Sequence, residues 1–127
     1  MIGIDIIKAS RMQHLMERFG DKGLRRFLLE DEIRLIKSYK TAAGFWAAKE
    51  AFSKALGTGI GAECSFFDIK IYKSEKGAPL FALSKKIIEK FKIIDAALSI
   101  THDGDYAISV VSIESLDSSS SDKIKQF

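Results

Sequence analysis

Thr41-Ala42-Ala43-Gly44-Phe45-Trp46-Ala47-Ala48-Lys49-Glu50-Ala51-Phe52-Ser53-Lys54-Ala55-Leu56, followed by Gly57-Thr58-Gly59-Ile60-Gly61, is the most regular stretch of the chain. Helix formers dominate it, Thr41 suits an N-cap, and Gly57 stands where helices end on a left-handed residue, so the stretch predicts a helix over 41–56. At about 100° per residue, Phe45, Ala48, Ala51, Phe52, Ala55 and Leu56 share one side, and Trp46, Glu50, Ser53 and Lys54 the other. The small alanines allow close packing of this helix. The alternate glycines after it permit unusual dihedrals, or close approach of backbone to a ligand.

Toward the N-terminus, the alternation of Ile2, Ile4 and Ile6 predicts a strand over 1–7, with Asp5 set among apolar neighbours. Met12, Leu15, Met16 and Phe19 recur at helical spacing, giving a helix over 8–19 that Gly20 ends. Short helices are expected over 22–29 and 31–39, the second with acidic residues at its start, as the helix dipole favours. Toward the C-terminus the period changes. Strands are expected over 67–73 and 79–82, joined by Lys76-Gly77-Ala78-Pro79, and a helix over 84–91. Asp103-Gly104 marks a hairpin turn between strands 96–102 and 105–113. The expected whole is one α+β domain, residues 1–114, with a largely antiparallel sheet against the long central helix; 115–127 reads as a serine-rich, mobile tail.

The chain has 127 residues, 46% of them hydrophobic and 29% charged, with a formal net charge of +3. That length suits one core and leaves no room for a second. The charge excess is compatible with an acidic partner without requiring a polyanion. A lone cysteine, Cys64, forms no internal disulfide and reads as a small buried hydrophobe in a reducing compartment. Asp5 and the lack of a basic start argue against a signal peptide, and no apolar run is long enough for a membrane span, so a soluble, cytoplasmic protein is expected. One cysteine and two distant histidines, His14 and His102, make no zinc pattern. The glycines at 57–61 lack the Lys-Ser or Lys-Thr that a Walker nucleotide site requires.

Glu50 and Lys54 lie one helical turn apart and can meet, as an ordinary surface ion pair or as part of a site. An acid in an apolar strand, Asp5, must reach solvent, cap the following helix or find a partner. If the first strand lies beside the long helix, Asp5 and Glu50 make an oxygen-only pair suited to Mg²⁺, which keeps several waters and takes phosphate oxygens. Thr101 and His102 end a strand, where they serve as turn residues or as phosphate donors. Spacing alone leaves these readings open.

Together these segments resemble the holo-acyl-carrier-protein synthase family, the small bacterial phosphopantetheinyl transferases. The resemblance runs through Gly3-Ile4-Asp5 and Arg11, Ala47 to Gly61, Lys76-Gly77-Ala78-Pro79 and Ser99-Ile100-Thr101-His102, in family order up to about Ile113. It implies the 4′-phosphopantetheinyl transferase fold, a homotrimer with active sites between subunits, and transfer of 4′-phosphopantetheine from coenzyme A to a serine of apo acyl carrier protein. The products would be holo carrier protein and 3′,5′-ADP, in support of fatty acid biosynthesis. Asp5 and Glu50 match the family's magnesium ligands, and with Lys54, which matches a lysine at the transferred phosphate, they form the implied catalytic set. Thr101 and His102 match a strand end near the coenzyme A phosphates; Gly77 and Pro79 match a turn near the adenine. The basic residues Arg11, Arg18, Lys22, Arg25 and Arg26 look like a docking surface for the acidic carrier protein, or else a solvated face. Neither nucleic acid nor membrane is an expected partner. One departure stands out: many members carry Arg-Phe where this chain has Phe45-Trp46, which removes a positive charge near the expected phosphates. The rival readings are a basic binding module and a nucleotide-binding regulatory subunit; neither needs turnover.

Overall fold

The structure, a computed structural model, describes residues 1–116, 125 and 126. Most of the expected tail, 117–124 and 127, lies outside the described residues. In chain order the elements are β1 (Ile2–Lys8), α1 (Ala9–Phe19), α2 (Asp21–Leu24), α3 (Glu30–Ile33), α4 (Tyr39–Leu56), a 3₁₀ turn (Phe66–Asp68), β2 (Ile69–Lys73), β3 (Pro79–Leu83), α5 (Lys85–Phe91), β4 (Ile93–Asp103) and β5 (Tyr106–Ser115). The strands form two antiparallel sheets, β1-β5-β4 and β2-β3, so the α+β expectation holds with the sheet divided in two.

α4 is the axis of the molecule. Ser38, in extended backbone, caps it by accepting from the Lys40 N–H, so the helix starts earlier than Thr41. Gly57 ends it at φ 83°, as expected of a left-handed cap. The two-sided division of the helix does not survive, because α4 is covered on most sides: Ala47, Lys49 and Ser53 are as buried as Phe45 and Phe52. One core lies around Met12, Phe27, Phe45 and Ile71, and a second around Phe52, Cys64, Ile87 and Val111. Trp46, assigned by spacing to the polar side, instead packs on Phe27 and Phe66 with ring centroids 5.2 and 4.8 Å away.

α2 and α3 are single turns rather than the longer helices expected. Phe27 and Leu28, three and four residues past the end of α2, are both buried in the core around α4, and the Phe27 and Leu28 N–H groups both bond back to the Leu24 carbonyl, closing the segment as a turn. The last hairpin pairs Asp103 with Tyr106, so its central residues are Gly104 and Asp105. Only Gly104 has positive φ there, at 55°, the pattern of a type II′ turn.

A buried ion pair ties these parts together. Lys49 Nζ donates to Glu32 Oε1 at 2.8 Å, to the Phe27 carbonyl at 2.8 Å and to the Phe66 carbonyl at 3.0 Å. Glu32 also accepts from the Leu29 and Ile71 N–H groups, the second closing an otherwise open position on β2. Burial lowers the affinity of the Lys49 ammonium for its proton and Glu32 opposes that. The ammonium's three donors and both carboxylate oxygens are engaged, so removing one partner would strand the other as an uncompensated buried charge.

Candidate active site

β1 and α4 meet at closest approach at Gly3, where a methyl group would strike the Ala51 carbonyl oxygen and sit 2.6 Å from the Ala55 nitrogen. This contact sets Asp5, two residues on and on the same strand face, against the flank of α4. Lys54 Nζ donates to Asp5 Oδ1 at 2.8 Å and to the Ile4 carbonyl at 3.2 Å. That carbonyl is within reach because β1 is an edge strand. Lys54 therefore pairs across the fold with Asp5, not with Glu50 one turn before it.

Glu50 is half-buried beside this pair. Burial raises its carboxyl above the ordinary glutamate range, and repulsion from Asp5 adds to that; Lys54 and Arg11 act in the opposite sense. The structure thus brings Asp5, Glu50 and Lys54 together, with Arg11 of α1 inside their field. The donors are carboxylate oxygens only, and the two acids repel, so the pair fits a hard divalent cation. Among the described residues no group of three or more Asp, Glu, His or Cys side chains could hold a metal ion, which leaves the remaining positions of such an ion to water or substrate oxygens.

A second feature lies at the start of α4, a cavity of about 540 Å³. Its apolar walls include Leu35, Phe45 and Ile100, and Gly77 and Pro79 of the β2-β3 turn also line it. Arg34, Lys37 and Lys73 supply positive charge, and no carboxylate lines it. His102 lines it too; its Nε2 is 2.9 Å from the Lys40 carbonyl, an acceptor, so Nε2 carries the proton of that bond. Thr101, one residue earlier on β4, points to the other sheet face and does not line the cavity; nor does Lys54. Sequence reading missed Arg34, Lys37, Thr41, Lys73 and Gly44 as lining residues. The available signal was Gly44, an isolated glycine inside a helical pattern. A methyl there would sit 2.9 Å from Ile100 Cγ2 and 3.3 Å from His102 Nε2, so the glycine lets β4 and its histidine approach α4.

The glycine exit after α4 has a different part from the one entertained above. The Thr58 and Gly59 N–H groups both donate to the Ser53 carbonyl and Gly57 N–H to that of Lys54, so these donors cap the helix C-terminus, the end whose dipole disfavours anions. On the basic face, Arg18 and Arg26 lie over the ring of half-exposed Phe19, at 5.1 and 4.4 Å from its centroid. Lys22 is exposed nearby, and Arg25 is held by Glu30 at 2.6 Å. Cys64 is buried, and burial pushes its thiol up to about 11, which makes it a poor nucleophile, in line with the sequence reading.

A profile of the 4′-phosphopantetheinyl transferase superfamily matches residues 1–111. The holo-[acyl-carrier-protein] synthase of Sulfurimonas denitrificans is 66% identical over 115 residues, 91% of this chain and 95% of that protein. The crystal structure of Helicobacter pylori holo-[acyl-carrier-protein] synthase in complex with coenzyme A matches with a TM-score of 0.86 at 50% identity, over 90% of this chain and 100% of that one. A holo-(acyl-carrier-protein) synthase from Bacillus anthracis in complex with CoA (3′,5′-ADP) matches with a TM-score of 0.75 at 38% identity, over 90% of this chain and 95% of that one. Profile, sequence and three-dimensional likeness converge over the same residues that build the acidic cluster and the cationic cavity: the chain belongs to the holo-[acyl-carrier-protein] synthase family of the 4′-phosphopantetheinyl transferase superfamily.

Proposed function

We propose that this chain transfers 4′-phosphopantetheine from coenzyme A to a serine of apo acyl carrier protein, in the cytoplasm and in support of fatty acid biosynthesis. The observation that carries the reading is the acidic cluster of Asp5 and Glu50, with Lys54, on the same helix as a cationic, acid-free cavity. In the reaction the serine oxygen attacks the phosphorus that bears pantetheine. The bond from that phosphorus to the leaving phosphate breaks, 3′,5′-ADP departs, and the serine proton is lost.

The cavity takes the nucleoside end, with apolar walls against the adenine ring, Gly77 and Pro79 bordering it, and His102 within reach of a phosphate. Asp5 and Glu50 hold Mg²⁺. When bound, that ion neutralises pyrophosphate charge and increases the electrophilicity of the attacked phosphorus. Lys54 is about half exposed, and its ammonium, positioned by Asp5, adds a fixed positive charge where negative charge develops on the leaving oxygens. Thr101 approaches from the outer sheet face. Catalysis by these residues is positioning and charge neutralisation, with no covalent enzyme intermediate.

The carrier protein docks on the basic surface of α1 and α2, where Arg11, Arg18, Lys22, Arg25 and Arg26 meet its acidic helix. Three copies assemble through the outer face of β1-β5-β4, where Ile2, Ile4 and Ile6 are 74, 60 and 57% exposed, an apolar surface that a lone chain would leave in water. The sites lie between subunits, which accounts for Thr101 facing away from the cavity of its own chain. Residues 1–114 form the core of the transferase domain, with β5 ending at Ser115 and the Leu116 N–H still bonded to the Lys92 carbonyl, so the tail proper begins after them. Among the described residues no helix is long and apolar enough to cross a membrane.

The test is incubation with coenzyme A, Mg²⁺ and apo acyl carrier protein, following the carrier's intact mass. A gain of one phosphopantetheine arm that EDTA abolishes, and that Asp5→Ala and Glu50→Ala both lose while remaining folded, is expected. No gain across several carriers would overturn the reading, and a gain insensitive to EDTA would remove the metal from it.

A further inference from the structure

The three cations of the cavity are not equivalent. Arg34 is 3.5 Å from Asp31 in a surface ion pair. Lys37 is exposed in the segment ahead of α4, outside any helix or strand. Lys73 is the last residue of β2, opposite Pro79 in the hairpin register, so one rigid hairpin carries it to the cavity with Gly77 and Pro79. It makes no ion pair or side-chain hydrogen bond among the described residues. Its Nζ instead lies over the ring of Phe45, 5.8 Å from the centroid, and Phe45 is buried in α4. The aromatic face attracts the ammonium without taking its protons, so a positioned cation stays available to an anion.

Coenzyme A carries two kinds of phosphate, and the protein offers two places for them. Its pyrophosphate must reach Asp5, Glu50 and Lys54, none of which lines the cavity. Its ribose 3′-phosphate, a monoester close to dianionic at neutral pH, lies at the nucleoside end and falls to the cavity. Position 45 of α4 offers it only a neutral ring. We infer that Lys73, seated by Phe45, recognises the ribose 3′-phosphate of coenzyme A, so that preference for coenzyme A over its 3′-dephospho form resides on β2 and not on α4. This rests on the coenzyme A reading above.

The experiment compares coenzyme A with 3′-dephospho-coenzyme A as donors for the wild type, Lys73→Met and Lys73→Arg, at saturating carrier protein and Mg²⁺. The wild type is expected to favour coenzyme A in kcat/KM by about tenfold or more, the size of a charge-assisted hydrogen bond. Lys73→Met raises KM for coenzyme A by that factor, leaves KM for the dephospho form and both kcat values in place, and so abolishes the preference; Lys73→Arg retains it. A Lys73→Met protein that still discriminates like the wild type, or whose KM rises equally for both donors, overturns the inference. A wild type that transfers from both donors without preference also overturns it, while leaving the transferase reading intact. A wild type that uses neither donor overturns that reading and the inference with it.

Discussion

Two adjacent residues of α4, Lys49 and Glu50, have opposite fates. Lys49 is fully buried and saturated with acceptors, so its charge serves cohesion. Glu50 is half-buried, repelled by Asp5 and only partly compensated by Lys54 and Arg11, so its charge is held at a cost. Glu50→Gln removes that repulsion while keeping the shape. The metal-free variant is therefore expected to melt a few degrees higher than the wild type at neutral pH, and added Mg²⁺ is expected to raise the melting temperature of the wild type but not of the variant. Calorimetry with and without Mg²⁺ checks both; equal Mg²⁺ responses would show that Glu50 holds no metal. Sequence spacing put Glu50 with Lys54 because helical neighbours are legible from periodicity. The partner that Lys54 has is Asp5, on another element, which spacing along one helix cannot report.

Between elements, Gly3 decides how closely β1 lies on α4, and through that where Asp5 stands relative to Glu50. Gly3→Ala drives a methyl into backbone of α4, which cannot yield as a side-chain tip could. Denaturant unfolding should show a loss of about 1–3 kcal/mol, and transfer measured well below the melting point should fall further than the unfolded fraction explains. Unchanged activity would mean that the strand's seat does not position the acids. Asp68 joins the 3₁₀ turn to α5, accepting from the Ser65 N–H at 2.9 Å and the Ser84 hydroxyl at 2.8 Å. Burial alone would raise its carboxyl, but these bonds and Lys86 outweigh it and hold it below the ordinary aspartate range. A lowered carboxyl stabilises the fold above its unfolded value, and that contribution is lost as pH falls through the folded value. Asp68→Asn should therefore cost about 1 kcal/mol at neutral pH, with the gap to the wild type closing as pH falls below the ordinary aspartate range. A gap that stays constant across this range would assign the loss to packing.

For the whole molecule, the unbalanced feature is the sheet β1-β5-β4, covered by α4 on one face and bare on the other. Ile4 projects from the bare face while Asp5 projects from the covered one, so the two faces can be perturbed separately. Ile4→Asp should leave the circular dichroism of the fold intact, reduce the particle to a single chain by light scattering, and depress transfer if neighbouring copies share each site. A variant of unchanged mass in solution would remove this face from the assembly.

The local signals were legible without a structure. Helical period and its glycine cap located α4, alternation located β1, and the Asp-Gly pair located the last hairpin to within one residue. The residues of the acidic cluster were named from their motifs, and the structure gathers them. Local order stops there, because caps, periods and turns depend on neighbours a few residues apart. Tertiary structure alone decided that Lys49 is a core residue held by Glu32, that Trp46 packs on Phe27 and Phe66, and that Gly44 admits His102 to α4. It also decided that Lys73 comes to rest over Phe45. Each joins segments distant in sequence, and such contacts form only when packing of the whole core repays the entropy of bringing those segments together.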